Sequence, residues 1–358
     1  MPITALRARI GITAAVTAFA VAALAGCSAS PTSSSTESDG SIDLSGVTLN
    51  IGLIDAVTQQ LFTDSGLFDD VPYTLNASVG TFPDLAAGLN SGQFDVAFYG
   101  VTTPVNQAGN DPTSWTAENA PIKLIGGWSP DQTGEYPWFG VAVSTASGID
   151  SIEDIEGHSI ASSTSGDAYP SYLALLDQAG LTEDDITDYA FSTTPEQVSA
   201  FATGQADVFV GSFASIATQI ESGDAKILIT SRELGVPVLK GIAVKTTTLD
   251  DAAKVAAIED WYGRYNELLT TYWDSHEEQI EGLYESLSQQ TPELAAYNWN
   301  SVKGSHARTF DDVLYDGVQY NADLFYQFGA AKYEVSDVSV FFDDRFEQTI
   351  ETEEQPQP

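Results

Sequence analysis

"YTLNASVGTFPDLAAGLNSGQFDVAFYG" spans residues 73–100. Two short apolar runs with strand character, "YTLNASV" (73–79) and "DVAFYG" (95–100), flank a helix-patterned stretch, "PDLAAGLNSG" (83–92). The helical stretch closes on Gly92, the residue type that most often follows a helix C-terminus. Strand, helix and strand in this order are the unit of a sheet covered by helices.

The unit repeats along the chain. Further strands are expected at 47–53, 122–127, 139–144, 158–162, 188–192, 207–212, 225–230 and 241–246. Helical stretches between them at 170–180, 195–204 and 214–223 each end on glycine. From Leu249 to about Tyr297 the pattern is almost wholly helical, with "VAAIEDWYGRYNELLTTYW" carrying apolar residues three to four apart. Several helices start alike. Phe82-Pro83 follows Gly80 and Thr81, Thr103 precedes Pro104, "STSGDAYP" (163–170) is a hydroxyl- and glycine-rich turn, and Thr194-Pro195-Glu196-Gln197 is a capping-box pattern. In an open α/β sheet such turns line the crevice where ligands bind. One of them only holds a helix; three or four aimed at one crevice make an anion site from backbone N–H groups and hydroxyls, with no lysine or arginine required.

The N-terminus has the layout of a secretory signal. Arg7 and Arg9 precede the uncharged apolar run 10–26, which ends on the small residues "LAG" before Cys27. "LAGC" resembles the bacterial lipobox, which implies that residues 1–26 are cleaved and that Cys27 carries lipid; an ordinary signal with a chance cysteine is the alternative. Residues 28–40, small and polar, read as a tether. Thirteen basic residues face 51 acidic ones; removing the leader leaves 11 against 51, a net charge of −40. Nucleic acid and anionic headgroups are repelled by such a field. Beyond Cys27 there is no thiol for a disulfide or a cysteine–metal site. The roughly 310 residues after the tether exceed the usual single-domain size of about 100–200, so two lobes are expected.

Residues 66–109, 151–186 and 195–223 together resemble the substrate-binding proteins of the nitrate/sulfonate/taurine class of ABC importers. The resemblance covers nearly all of 47–346. It implies an α/β, two-lobed periplasmic-binding-protein (type II) fold, each lobe a mainly parallel sheet flanked by helices, joined at a hinge of two crossing strands near 139–145 and 240–246. Lobe 1 is then 47–140 with 241–346, lobe 2 is 141–240, residues 27–46 are the lipidated cysteine and its tether, and 347–358 fray. Carried over position by position, the ligand-contacting turns fall on Gly80, Thr81 and Phe82; on Gly100, Val101, Thr102 and Thr103; on Ser165, Gly166, Asp167, Ala168 and Tyr169; and on Gly211, Ser212 and Phe213. Val101 and Ser212 stand where the class usually has aspartate, and Tyr169 where histidine is common. Asp167 fits an anion site only if it points outward as a helix cap. The implied protein is a monomeric extracytoplasmic receptor, anchored to the cell membrane by lipid alone, without cofactor or metal, that hands its solute to membrane permease subunits.

Met1 and Cys27 are the only sulfur-containing residues, so 28–358 is free of sulfur. Synthesis under sulfur starvation accounts for this and favours an organosulfonate ligand over nitrate or a thiamine-pyrimidine precursor; avoidance of oxidation-prone methionine is the competing account. Lys123 and Arg232 are candidate helpers or surface charges. Trp128, Tyr136 and Trp138 are either a wall for the organic tail or core. An enzyme on the same fold is the remaining alternative. His158, His276 and His306 form no H-E-x-x-H pair, and neither G-x-S-x-G nor a phosphate-binding G-x-x-x-x-G-K loop occurs.

Overall fold

The structure is a computed structural model that describes residues 42–130, 134–163, 166–191 and 193–351. The signal segment, Cys27, the tether through Gly40, Ser165 and the tail beyond Glu351 lie outside the described residues.

In chain order the strands are β1 (Thr48–Leu53), β2 (Thr74–Val79), β3 (Val96–Gly100), β4 (Ile122–Ser129), β5 (Phe139–Ser144), β6 (Ser159–Ser163), β7 (Thr187–Phe191), β8 (Val208–Ser212), β9 (Ala225–Thr230), β10 (Lys240–Lys245) and β11 (His306–Ala307). The helices are α1 (Ala56–Asp64), α2 (Phe82–Ser91), α3 (Thr102–Asn110), α4 (Ala168–Ala179), α5 (Thr194–Ala202) and α6 (Ala217–Ser222), then α7 (Ala252–Glu267), α8 (Trp273–Ser275), α9 (Glu277–Ser288), α10 (Pro292–Val302), α11 (Asp312–Gln327) and α12 (Glu347–Glu351). All ten expected strands are present within a residue or so. The two-residue β11 and the helices α1 and α11 had no reading from sequence, and α12 forms over Glu347–Glu351 where fraying was expected, with Ile350 buried.

Two sheets result, ordered β11-β4-β10-β3-β1-β2 and β7-β6-β8-β5-β9. Both are mixed, which corrects the expectation of mainly parallel sheets. Within the first sheet β1 runs parallel to β2 and β3, but β10 is antiparallel to β3 and β4. Within the second β6 is parallel to β7 and β8, but β5 is antiparallel to β8 and β9. The reason is topological. The chain leaves the first sheet after Ser129 and returns at Lys240, so β5 and β10 each enter a sheet from the other lobe. A strand arriving that way has no crossover helix to set it parallel to its neighbours.

One face of the first sheet carries an aromatic core. Phe98 lies edge-on to Trp128, Trp261 and Tyr265, with centroids 5.1–6.1 Å apart, and α7 supplies the last two rings. The other face packs Leu85, Leu89 and Val105 with α11, and the same cluster continues to Val141, Ile160 and Tyr172 of the second lobe. Helix α11 therefore touches both lobes: Tyr320 donates to Asp177 of α4 (3.0 Å), as does Gln327 (2.9 Å). No helix among the described residues is long and apolar enough to cross a membrane.

Candidate functional site: a cleft between the two sheets

The strand-to-helix turns of both lobes meet around one cavity of about 930 Å³. Gly80, Thr81 and Phe82 line it from the start of α2, and Thr102, Thr103, Asn106 and Gln107 from the start of α3. From the second lobe come Gly166, Asp167 and Tyr169 at α4, Thr193, Thr194 and Gln197 at α5, and Gly211 and Ser212 at the end of β8 with Ser215 just beyond it. Four helices thus present their N-terminal turns to one volume. Each has proline among its first three residues, at Pro83, Pro104, Pro170 and Pro195. Proline sets φ for the first turn but removes one N–H, so hydroxyls and side-chain amides supply donors that the backbone lacks.

The hydroxyls are not equivalent. Thr81 caps α2: its Oγ donates to Asp84 Oδ2 (2.6 Å) and accepts from the Asp84 N–H (3.4 Å), while its own N–H donates back to Asp84 (3.1 Å). Thr103 does not cap α3, as the sequence suggested; the helix begins one residue earlier and its cap position is Val101, which is buried and has no capping side chain. That leaves the Thr103 hydroxyl without a partner among the described residues, facing the cavity. At α5 the cap is Thr193 rather than Thr194, its hydroxyl donating to Glu196 (2.7 Å). Buried Gln197 stitches the floor, donating to the Ala161 and Val210 carbonyls (2.9 and 2.8 Å).

Asp167 reverses its expected direction. It makes no cap bond to α4; its Oδ1 accepts from Thr102 Oγ across the cleft (2.7 Å). Gly100 makes this approach feasible, since a Cβ there would lie 2.1 Å from Asp167 Oδ1. Burial pushes the Asp167 carboxyl up to about 6, against the lowering effect of the Thr102 hydrogen bond.

A second compartment of about 230 Å³ adjoins the first, sharing Ile54, Phe82, Phe139, Asp167 and Ser212 with it. Gly100, Trp138 and Lys240 complete its wall. Lys240 opens β10 and pairs in register with Gly100. Its Nζ sits 4.4 Å from the Trp138 ring centre and 5.4 Å from that of Trp128. Desolvation pulls its pKa down to about 8, partly offset by the field of Asp55.

Of the residues expected at the site, Gly80, Thr81, Phe82, Thr102, Thr103, Gly166, Tyr169 and Ser212 line the larger space and Gly100 the smaller. Phe213 does not. It is fully buried in a separate core with Phe209 and Tyr297, because the turn after β8 rotates its ring beneath the sheet. Lys123 is no helper and no surface charge: it is buried and donates to the Val340 carbonyl (2.7 Å), away from the cleft. Arg232 borders a different surface hollow. Of the three aromatics at 128–138 only Trp138 reaches the site; Trp128 is core, and Tyr136 packs edge-on to Tyr297 (5.3 Å). His158 pairs with Asp207 (3.2 Å) at the base of β6. No group of three or more metal-ligating side chains occurs among the described residues.

Residues 89–257 match the family model described as NMT1/THI5 like. The chain has the two-lobed fold of the periplasmic binding proteins. The periplasmic aliphatic sulphonate binding protein SsuA from Escherichia coli superposes with a TM-score of 0.65 at 18% identity, over 87% of this chain and 92% of that one. The alkanesulfonate-binding protein SsuA from Xanthomonas axonopodis pv. citri, bound to MOPS, gives 0.64 at 19%, over 83% and 98%. A C27S mutant of DSZB in complex with biphenyl-2-sulfinic acid gives 0.56 at 12%, over 85% and 99%. The fold is therefore shared by binding proteins and by a desulfurization enzyme. No curated protein sequence matches the chain.

Proposed function

We propose that this protein is the extracytoplasmic solute receptor of an ABC importer, closing two lobes on an organosulfonate anion and delivering it to the permease. The observation that carries the reading is the convergence of four helix N-termini from both lobes on one cavity. A sulfonate is a tetrahedral monoanion whose oxygens only accept hydrogen bonds, and helix N-termini with hydroxyls such as Thr103 and Ser212 offer only what it needs. The sulfur-free composition of 28–358 fits a chain made when sulfur is scarce. In this reading Cys27 carries the lipid that holds the receptor at the membrane, and the monomer works without cofactor.

A binding role accounts for the site better than catalysis does. No cysteine stands among the described residues, and the titratable cleft residues Asp167 and Lys240 are on opposite lobes with no nucleophile–base pair between them. Nitrate or a pyrimidine precursor is the second reading, favoured by the breadth of the family that residues 89–257 match.

Calorimetric and thermal-shift titration of the purified protein with alkanesulfonates, arylsulfonates, nitrate, sulfate and pyrimidines tests this. A bound solute stabilises by about 2.7 kcal/mol at a hundredfold excess over Kd. Response to sulfonates supports the reading. Response to nitrate or a pyrimidine alone replaces the substrate, and turnover of any of them replaces the role.

A further inference from the structure

Lys240 differs from the other cations in where it sits. Lys226 pairs with Asp150, Lys254 with Asp95, and Arg264 with Asp70 and Asp260; Lys123 and Lys245 donate to carbonyls, and Lys303 lies over the Trp299 ring and lines neither compartment. Lys240 forms neither an ion pair nor a hydrogen bond with any described residue; its ammonium is held over the faces of two indoles and lines the smaller compartment. Cation–π contact returns only part of what water would give an ammonium. A cation held in an apolar wall at a cost, and not neutralised, is arranged for a charge that comes from elsewhere.

We infer that Lys240 is the charge receptor of the site: the oxyanion head of the solute sits where the two compartments meet, between Lys240 and the turns at Phe82, Asp167 and Ser212, and the organic tail extends into the larger one towards Tyr169 and Phe325. This rests on the receptor reading above and assigns an orientation within it. It also revises the picture of capture by backbone dipoles alone, since one formal positive charge stands at the inner end of the cleft. Two carboxylates face the lysine. Asp55, at the cap of α1, contributes its field from the first lobe, and Asp167 lines the same compartment from the second. Neither comes within 4.0 Å of Nζ. The ammonium is thus left for the ligand, while Thr102 holds Asp167 by its hydroxyl.

Paired probes that differ in charge separate this role from a structural one. Butanesulfonate and butanesulfonamide share tail and tetrahedral sulfur, but only the first is a full anion. Calorimetry on the wild type, Lys240→Met, Lys240→Gln and Lys240→Arg is expected to show strong preference for the sulfonate in the wild type. The Met and Gln variants should lose sulfonate affinity about 30-fold or more, as truncation of one partner of a desolvated charge pair does, with sulfonamide affinity unchanged. Lys240→Arg should keep the preference. Circular dichroism confirms that each variant folds, and Gln stands in if Met does not. The inference is overturned if the neutral variants keep the wild-type preference within threefold, or if the wild type does not distinguish the two probes. A wild type that binds no sulfonate removes the receptor reading for this substrate and the inference with it; a wild type that binds while Lys240→Met binds equally removes the inference alone.

Discussion

Replacing Gly100 by alanine isolates the contact between the lobes. Gly100 ends β3, and a Cβ there would stand 2.1 Å from Asp167 Oδ1 and 2.8 Å from its Cγ. Both obstructed atoms belong to the far end of a side chain of the other lobe, so β3 itself has no need to shift. What fails is the 2.7 Å hydrogen bond from Thr102, because the carboxylate must swing out of reach. A hydrogen bond to a charged group contributes about 1.5–3 kcal/mol, and at about 1.4 kcal/mol per decade that is roughly 10- to 100-fold in the affinity of any ligand that requires closure. Stability of the individual lobes should change by less than about 1 kcal/mol, since alanine in a buried strand costs no more than glycine there. Calorimetry with butanesulfonate reads the affinity, and urea denaturation reads the stability. A double-mutant cycle with Asp167→Ala makes the reasoning refutable: if the obstruction is with the carboxylate, the two changes together should cost little more than either alone. Additive losses, or a Gly100→Ala affinity within threefold of wild type, would show that the cross-cleft contact is incidental.

Other substitutions probe the same cleft through stability. Asp167→Asn removes a carboxyl whose pKa is raised by burial to about 6 from an ordinary 3.8; the native state then binds more protons than the unfolded chain between those values, so wild-type stability falls as pH rises from about 4 to 6. The variant should match the wild type at pH 4, exceed it by about 1–3 kcal/mol at pH 7.5, and show a flatter curve by urea titration at each pH. Lys240→Met should likewise raise stability at pH 7 by about 1–3 kcal/mol while abolishing charge preference, because the lysine pKa is pulled down to about 8. Wild-type stability should climb as pH rises from about 8 towards 10.5, where the unfolded lysine holds the extra proton. Thr81→Ala should cost about 1 kcal/mol through the lost α2 cap, read in the thermal midpoint.

Much of this architecture was readable from sequence because strands and helices announce themselves locally. "DVAFYG" is a buried strand whatever surrounds it, and glycine marks the end of α2, α4 and α6. The mixed sheets were not readable, since the direction of β5 and β10 depends on where the chain has been, not on their residues. The cleft turns were legible as turns, but the use of each side chain was not. Thr102 and Asp167 are 65 residues apart, and neither sequence neighbourhood says that they meet. Lys240 escaped for a related reason: at the first position of a strand it looks like an edge charge, and only the fold puts Trp138 and Trp128 beneath it. Phe213 misled in the opposite sense, because a turn that reaches the ligand side need not send every side chain there.

The most direct test is a crystal structure of the protein grown with butanesulfonate. One sulfonate is expected in the cleft, its oxygens within hydrogen-bond distance of Lys240 Nζ and of groups on both lobes, with the alkyl chain pointing towards Phe325. A sulfonate held on one lobe only, or with its head in the larger compartment and Lys240 left bare, would contradict it.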